Sequence, residues 1–400
     1  MATSLNIAIA GAGIGGLAAA ALLAREGHRV TVFDQFETVG PIGSGLILQE
    51  TGLTILGELG LRAQAEALGA PIRRLYGLSR QSGSTVLDVR YGSLRPALMG
   101  VSIQRPALFN IVHGAALAAG ARIEASTRIT AANPEDAVLV AASGATHGPF
   151  DLIIDALGVR SVLCSTPGGE LPYGALWATL PWPVTAGFHA DALEQRYEAA
   201  SRMAGVMPSG RAATGAPDTA TYFWSIRGDQ HEAWRAAPLN HWRDAALSLW
   251  PETESLLAPL RSHDDLTFAR YRHRTHWPAV AGRMVHIGDS WHAASPQLGQ
   301  GANMALLDAF ALARALGRKQ DVRDALSDYA KMRALHVRLF QLMSFLFTPV
   351  YQSDSRILPL VRDWVAAPVS RIWPAPQILA AMVSGGLGAP LWRLGLKPGR

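Results

Sequence analysis

Gly11-Ala12-Gly13-Ile14-Gly15-Gly16 lies between the short apolar run Ile7–Ala10 and the alanine- and leucine-rich stretch Leu17–Arg25. No other feature limits the fold of the N-terminal half so strongly. The apolar run reads as a buried parallel strand. The stretch after the glycines reads as a helix, which Gly27 can stop. Val30–Phe33 reads as a second strand with Asp34 at its end. Gly11 permits the tight turn, Gly13 removes a side chain where backbone must approach a pyrophosphate, and Gly16 lets the helix pack on the strand. The helix start, with Ile14 and Gly15 in its first turn, offers unpaired N–H groups and a positive dipole end to phosphates. Asp34, with Gln35 beside it, follows Gly16 at a spacing suited to accepting ribose hydroxyls. An acid here favours an adenosine with a free 2′-hydroxyl. The plain alternative is a tight glycine turn in an ordinary α/β unit.

Composition excludes several classes. The chain has 400 residues, 49% apolar and 17% charged, which fits a compact protein of two or three domains. A single cysteine, Cys164, rules out an internal disulfide framework and a cysteine-rich zinc site, and no metal is expected. One thiol is compatible with the cytoplasm, which is the expected location. The net charge of +5 comes with scattered arginines and only three lysines, so nucleic-acid binding is not expected. Residues 7–24 are apolar, but four glycines interrupt them and no Lys or Arg precedes them, unlike a secretory segment. Leu339–Val350 is shorter than the ~18–20 residues of a membrane span.

A second strand–loop–helix unit lies far downstream. Met284–Ile287 reads as a strand, Gly288-Asp289 ends it, and a helix is predicted over roughly Ala302–Leu316. Gly288, Asp289, His292, Pro296, Gly299, Gln300, Gly301 and Asn303, followed by Asp308-Ala309, form a pattern. It resembles the second signature of the FAD-dependent aromatic hydroxylases, the para-hydroxybenzoate hydroxylase-like flavoprotein monooxygenases. The resemblance covers most of residues 5–335. Gly43-Ser44-Gly45-Leu46 is similar to the family's glycine-rich stretch after the second strand. Gln104–Leu108 resembles the segment whose arginine approaches the flavin, which makes Arg105 a candidate.

The resemblance implies an α/β fold, with a Rossmann-like FAD-binding domain and an inserted mixed β-sheet substrate domain. The FAD-binding domain is expected over 1–70, 98–171 and 280–335, and the substrate domain over 71–97 and 172–279. It also implies that Asp289 holds the ribityl chain and that Pro296 lies beside the flavin ring. The backbone from Gly299 to Asn303, including Gln300, Gly301 and Ala302, would face the ring and phosphates, while His292 would belong to the loop framework. The implied activity is an FAD-dependent monooxygenase that uses NAD(P)H and O2. It would hydroxylate a hydrophobic, aromatic small molecule through a flavin C4a-hydroperoxide. The flavin carries that chemistry, so no catalytic side chain is singled out. The alternatives are a flavin-dependent dehydrogenase or reductase on the same fold, or an FAD-binding protein with impaired NAD(P)H turnover.

Two departures bear on this reading. The family's middle motif, Gly-Ala-Asp-Gly with a later serine and arginine, is met here by Asp155-Ala156-Leu157-Gly158, Ser161 and Cys164. Leu157 stands where the family has an aspartate tied to FAD and the nicotinamide donor, and a leucine accepts no hydrogen bond. Asp155, two residues earlier along an extended strand, is a candidate to compensate. Trp291 replaces a small loop residue and either shapes a pocket or fills core volume.

Thr219–Ile226 is β-branched and aromatic, a strand whose alternation puts Tyr222 and Trp224 on one face and Phe223 on the other. In the resembling family this sheet walls the flavin ring, so Tyr222, Trp224, Tyr271 and His273 are pocket candidates. Ordinary sheet packing is the alternative for each. Residues 336–400 are expected to form a C-terminal extension of short helices broken by proline. Trp364, Trp373 and Trp392 are expected to pack on the protein's own body, with a second subunit or a membrane surface as the alternative partner. The assembly is expected to be a monomer or homodimer.

Overall fold

The computed structural model describes residues 4–37, 40, 44–184 and 187–397. Gly43 lies outside the described residues. The chain is mixed α/β. One sheet has the strand order Val280–Ala281, Met284–His286, Leu152–Asp155, Asn6–Ala10, Arg29–Phe33, Arg122–Glu124. The last five run parallel, with Ala10 opposite Asp155 and Asp155 opposite His286. Ile7–Ala10 and Leu152–Asp155 are buried throughout, because both sheet faces are covered.

On one face, Ile7, Ile9 and Ile154 pack with the helices Ile14–Arg25, Arg105–Ala118 and Gly301–Arg318. On the other, Ala8, Ala10 and Ile153 pack with Ile129, Leu139 and Phe150, from and beside a small antiparallel sheet. A three-stranded sheet of Gly45–Leu48, Gly100–Gln104 and Ala70–Ile72 extends the same core.

A seven-stranded sheet follows, in the order Thr267–His273, Gly169–Pro181, Thr219–Arg227, Arg202–Pro208, Ala192–Glu198, Arg74–Ser79, Thr85–Arg90. Only the Ala192–Glu198 and Arg74–Ser79 pair is parallel. The short helices His231–Ala236, Leu239–Leu249 and Glu254–Leu257 lie against one face of this sheet. The other face turns toward the nucleotide half: a side chain at Gly45 would stand 2.5 Å from Thr221 Oγ1 and 2.8 Å from Ser209 Oγ.

Val322–Tyr351 forms one helix, capped by Asp321, whose carboxylate accepts from the N–H groups of Arg323 and Asp324. Position 335/336 therefore falls inside a helix rather than at a break. The short proline-started helices begin only at Leu358, and Pro349 is carried within the long helix. No described helix is long and apolar enough to cross a membrane.

Candidate cofactor and substrate site

The two glycine loops, almost three hundred residues apart in sequence, meet in space. Strands Asn6–Ala10 and Met284–His286 flank Leu152–Asp155, so their C-terminal ends open side by side. The helices that follow touch through small residues. A Cβ at Gly15 would lie 3.1 Å from the Ala305 Cβ, as would one at Gly288. Gly16 has no room for a side chain, since a Cβ there would stand 2.1 Å from the Gly11 carbonyl oxygen. Gly13 differs: it is exposed, and a Cβ there would meet nothing within 4 Å. Helix Ile14–Arg25 carries no side-chain cap and no acid in its first turn, and the same holds for Gly301–Arg318. Both therefore leave N–H donors free for an anion.

Asp34 sits beside the first loop. Its Oδ2 accepts from Ala12 N at 2.9 Å and its Oδ1 from Phe36 N at 3.1 Å, while Gln35 is exposed. Arg105 is exposed at the start of Arg105–Ala118, and its N–H donates to Ser44 O. In the second loop Asp289 is exposed, with Oδ1 4.0 Å from the Cβ position of Gly301. Pro296 and Gly301 are exposed, Ala302 is half-buried, and Gly299 adopts the left-handed conformation at φ 60°.

The side chains of Asn303 and Gln300 point inward. Asn303 Oδ1 accepts from Gln49 N, and its Nδ2 donates to the carbonyls of Ile47 and Gly299. Gln300 Nε2 donates to Val383 O at 2.7 Å. Only the backbone of these two residues remains for a ligand.

A buried ionic cluster fixes the second loop. Asp308 Oδ2 accepts from Gly288 N at 2.8 Å and from His292 Nε2 at 2.6 Å, and Oδ1 accepts from Arg333 Nε at 2.7 Å. Burial pushes the Asp308 carboxyl up, but the charges of His292 and Arg333 outweigh it and hold the group at about 2. His336 accepts from Arg333 Nη1 through Nδ1 and donates to Gly385 O through Nε2. Burial, then the Arg333 charge, lowers His336 and keeps it neutral.

Asp155 does not stand in for the missing aspartate. Leu157 has helical φ −69°, ψ −2°, so strand alternation stops before it and the two side chains do not share a direction. Asp155 has no exposed surface. Its Oδ2 accepts from Ser161 Oγ at 2.6 Å and His286 Nδ1 at 2.8 Å, and its Oδ1 from Leu157 N at 3.0 Å. It ties the middle motif to the strand Met284–His286, while Leu157 packs into the apolar cluster with Leu163. Trp291 is likewise fully buried, against Trp277 and Tyr329, and fills core rather than a pocket.

The seven-stranded sheet requires a second correction. Tyr222 and Trp224 do share a face, but it is the one roofed by helices: their rings meet Trp242 edge-on, among Trp234 and Trp250. The opposite face carries Phe223, Met203 and Tyr197, with the Trp177 ring tilted 35° to that of Phe223 at a centroid distance of 4.9 Å. Gly205 makes room for the Phe223 ring, whose atoms lie 2.0 Å from its Cβ position. Tyr271 lies beside Trp177 on this second face, and burial pushes its phenol up.

His273 Nε2 contacts Thr275 Oγ1, which donates to Gln341 Oε1. The second loop reaches this sheet through Gln297, which donates to Gln352, which in turn donates to Gly174 O. Sequence reasoning passed over Phe223 and Trp177, although the parity of Phe223 was itself readable.

The sequence model described as an FAD binding domain matches residues 4–340. The chain belongs to the FAD-dependent aromatic hydroxylase family. It is an FAD-dependent monooxygenase. Among its relatives, 6-hydroxynicotinate 3-monooxygenase of Bordetella bronchiseptica is 28% identical over 330 residues, 77% of this chain and 82% of that one. Aurachin C monooxygenase/isomerase of Stigmatella aurantiaca is 26% identical over 377 residues, 91% and 94% of the two chains. Of solved structures, 2-methyl-3-hydroxypyridine-5-carboxylic acid oxygenase in its tetrameric form superposes with a TM-score of 0.79. It shares 19% identity over 98% of each chain.

For a hydroxylase of this family, the departure at Leu157 is one of charge as well as shape. The position carries a half-buried apolar side chain packed against core, and the nearest acid in the motif, Asp155, has no exposed surface. The residues at the loops fit FAD. Open space at Gly13 and two uncapped helix starts suit a pyrophosphate, and the exposed carboxylate of Asp289 suits a polyol.

Proposed function

We propose that this monooxygenase hydroxylates a hydrophobic, aromatic small molecule, using NAD(P)H and O2. FAD would lie across the two glycine loops. The observation that carries this reading is the convergence of the two uncapped helix starts in the half toward which an aromatic sheet face is turned. In this arrangement the first-turn N–H groups after Gly13 bind the pyrophosphate, and Asp34 accepts a ribose hydroxyl with its remaining lone pairs. Asp289 accepts from the ribityl hydroxyls, Arg105 approaches the cofactor from the side of Ser44, and the backbone of Gly299–Asn303 lines the ring. Pro296 offers no N–H and excludes water there.

When bound, the flavin supplies electron transfer from NAD(P)H and activation of O2. The protein's part is a dry, shaped space. Phe223, Trp177 and Tyr271 would stack on an aromatic substrate and hold it against the loop carrying Pro296.

Leu157 favours a second reading of the reductant alone, a monooxygenase whose flavin NAD(P)H does not reduce efficiently. One experiment separates them. Anaerobic mixing of the FAD-loaded protein with NADH and with NADPH, alongside a panel of aromatic compounds, is expected to bleach the flavin absorbance. A flavin that stays oxidised with every donor and compound would overturn the use of NAD(P)H.

A variant tests the site itself. Asp289→Ala is expected to weaken FAD retention by about ten- to a hundredfold, the loss of one or two hydrogen bonds to a charged acceptor. The thermal midpoint of the apoprotein is expected to stay within a few degrees of wild type, since the side chain is exposed. Unchanged FAD stoichiometry after dialysis would remove Asp289 from the site.

A further inference from the structure

The segment from Ile357 to Trp373 is folded with its polarity reversed. Leu358–Val361, Arg362–Ala366 and Ala367–Val369 make a nearly continuous helical stretch. Its exposed residues Ile357, Leu360, Trp364, Val365, Val369 and Ile372 recur at helical spacing, so one stripe of the stretch is apolar and faces outward. The charged pair is turned inward: Arg362 is 1% exposed, donates to half-buried Asp363 at 2.6 Å and to the carbonyls of Ala199 and Val350, and lies over the Tyr197 and Tyr351 rings. The three tryptophans of the tail do not pack on the protein body as expected. Trp364, Trp373 and Trp392 are 74%, 78% and 78% exposed. Scattered apolar residues on a surface need no explanation, but a stripe of this length with two bare indoles does.

Charge identifies the occupant. Residues 336–400 hold seven basic and two acidic residues, so the whole +5 of the chain resides there, and residues 1–335 are neutral. Arg356 and Arg371 bracket the stripe and are exposed, as are Arg393 and Lys397 near Trp392. Outward indoles with exposed basic residues close by in sequence match the interface of an anionic bilayer, where tryptophan sits at headgroup depth and each Lys or Arg adds attraction. A second copy of the chain fits less well, because a two-fold interface would set this surplus positive charge against itself.

We propose that the face Ile357–Trp373 docks the protein on an anionic membrane surface without crossing it. The inner side of the same stretch rests, through Arg362, on Tyr197 of the aromatic sheet face. A docked molecule therefore has that face close behind the lipid, and a substrate dissolved in the bilayer is the class this arrangement serves.

The test is co-sedimentation of the purified full-length protein with vesicles of phosphatidylcholine mixed with phosphatidylglycerol, and of phosphatidylcholine alone. Binding is expected to the mixed vesicles, and to fall several-fold at high salt or with phosphatidylcholine alone. Trp364→Glu/Trp373→Glu is expected to lower the partition coefficient by about tenfold or more, with circular dichroism unchanged. Arg356→Gln/Arg393→Gln is expected to weaken binding to mixed vesicles only. Wild-type protein left in the supernatant with mixed vesicles would overturn the proposal, as would equal binding by the tryptophan variant. If the wild type stays unbound and sediments as a dimer that the tryptophan variant does not form, the face belongs to a second copy instead. The assay reads neither flavin nor substrate, so it is independent of the proposed reaction.

Discussion

Replacing Asp308 by asparagine is expected to destabilise the protein by about 3–5 kcal/mol, the usual cost of removing one partner from a buried ion pair. The carboxylate is fully buried and holds three groups at once: Gly288 N, His292 Nε2 and Arg333 Nε. Asparagine fills the same volume but leaves the buried Arg333 cation without a counter-charge. Its amide can satisfy at most part of the former donor set, because one of its two ends is itself a donor. The measurement is the urea midpoint with and without added FAD. A shift of less than about 1 kcal/mol would show that the cluster contributes little.

The same group sets an acid limit. Its folded pKa of about 2 lies below the unfolded value, so its contribution is present above about pH 4. That contribution, roughly 2–3 kcal/mol, is lost as pH falls from about 4 to 2. In Asp308→Asn the acid-side loss of stability is expected to be shallower over that window.

Gly11→Ala is expected to cost about 2–6 kcal/mol and to abolish FAD retention, whereas Gly13→Ala should cost less than about 1 kcal/mol and impair only retention. Gly11 has φ +106°, a conformation L-residues rarely adopt, and its added Cβ would stand 2.5 Å from the carbonyl oxygen of Ala156. Neither the strand it leaves nor the middle motif can move away, because Ala10 and Asp155 are paired in one ladder. Gly13 has an ordinary φ of −73° and open space at its Cβ position. A methyl group there meets only what binds. Denaturation midpoints of the two apoproteins, set beside their FAD content after gel filtration, separate the two effects. Equal destabilisation by both changes would show that Gly13 is required by the fold alone.

The nucleotide half was legible because its signals are local. A glycine that must turn, a helix without a cap and an acid at a strand end each lie within a few residues of what they govern. Arg29–Phe33, Met284–His286 and Gly301–Arg318 all fall where their patterns place them. The substrate face was half legible. Period-two alternation says that Tyr222 and Trp224 share a side, but it does not say which side meets the nucleotide half. That choice is made by Trp234, Trp242 and Trp250, whose bulk covers one face of the sheet. Asp155 follows the same limit: alternation relates it to Leu157 only while the strand continues, and the strand ends at Asp155. The tail hid its character because the usual rule, apolar residues inward, is inverted between Ile357 and Trp373.

The hydrogen bonds that leave the second loop for the tail have a practical consequence for chimeras. Gln300 of that loop donates to the carbonyl of Val383, and His336, bonded to Arg333 of the ionic cluster, donates to that of Gly385, so two backbone oxygens after residue 380 complete side chains of the loop and of the cluster that fixes it. A tail grafted from another family member must carry acceptors in those two places whatever its own sequence. One that does not would leave the buried Gln300 amide unanswered between Gly299 and Gly301 and the His336 N–H unanswered beside Arg333, and the loss would first register as a loosened flavin.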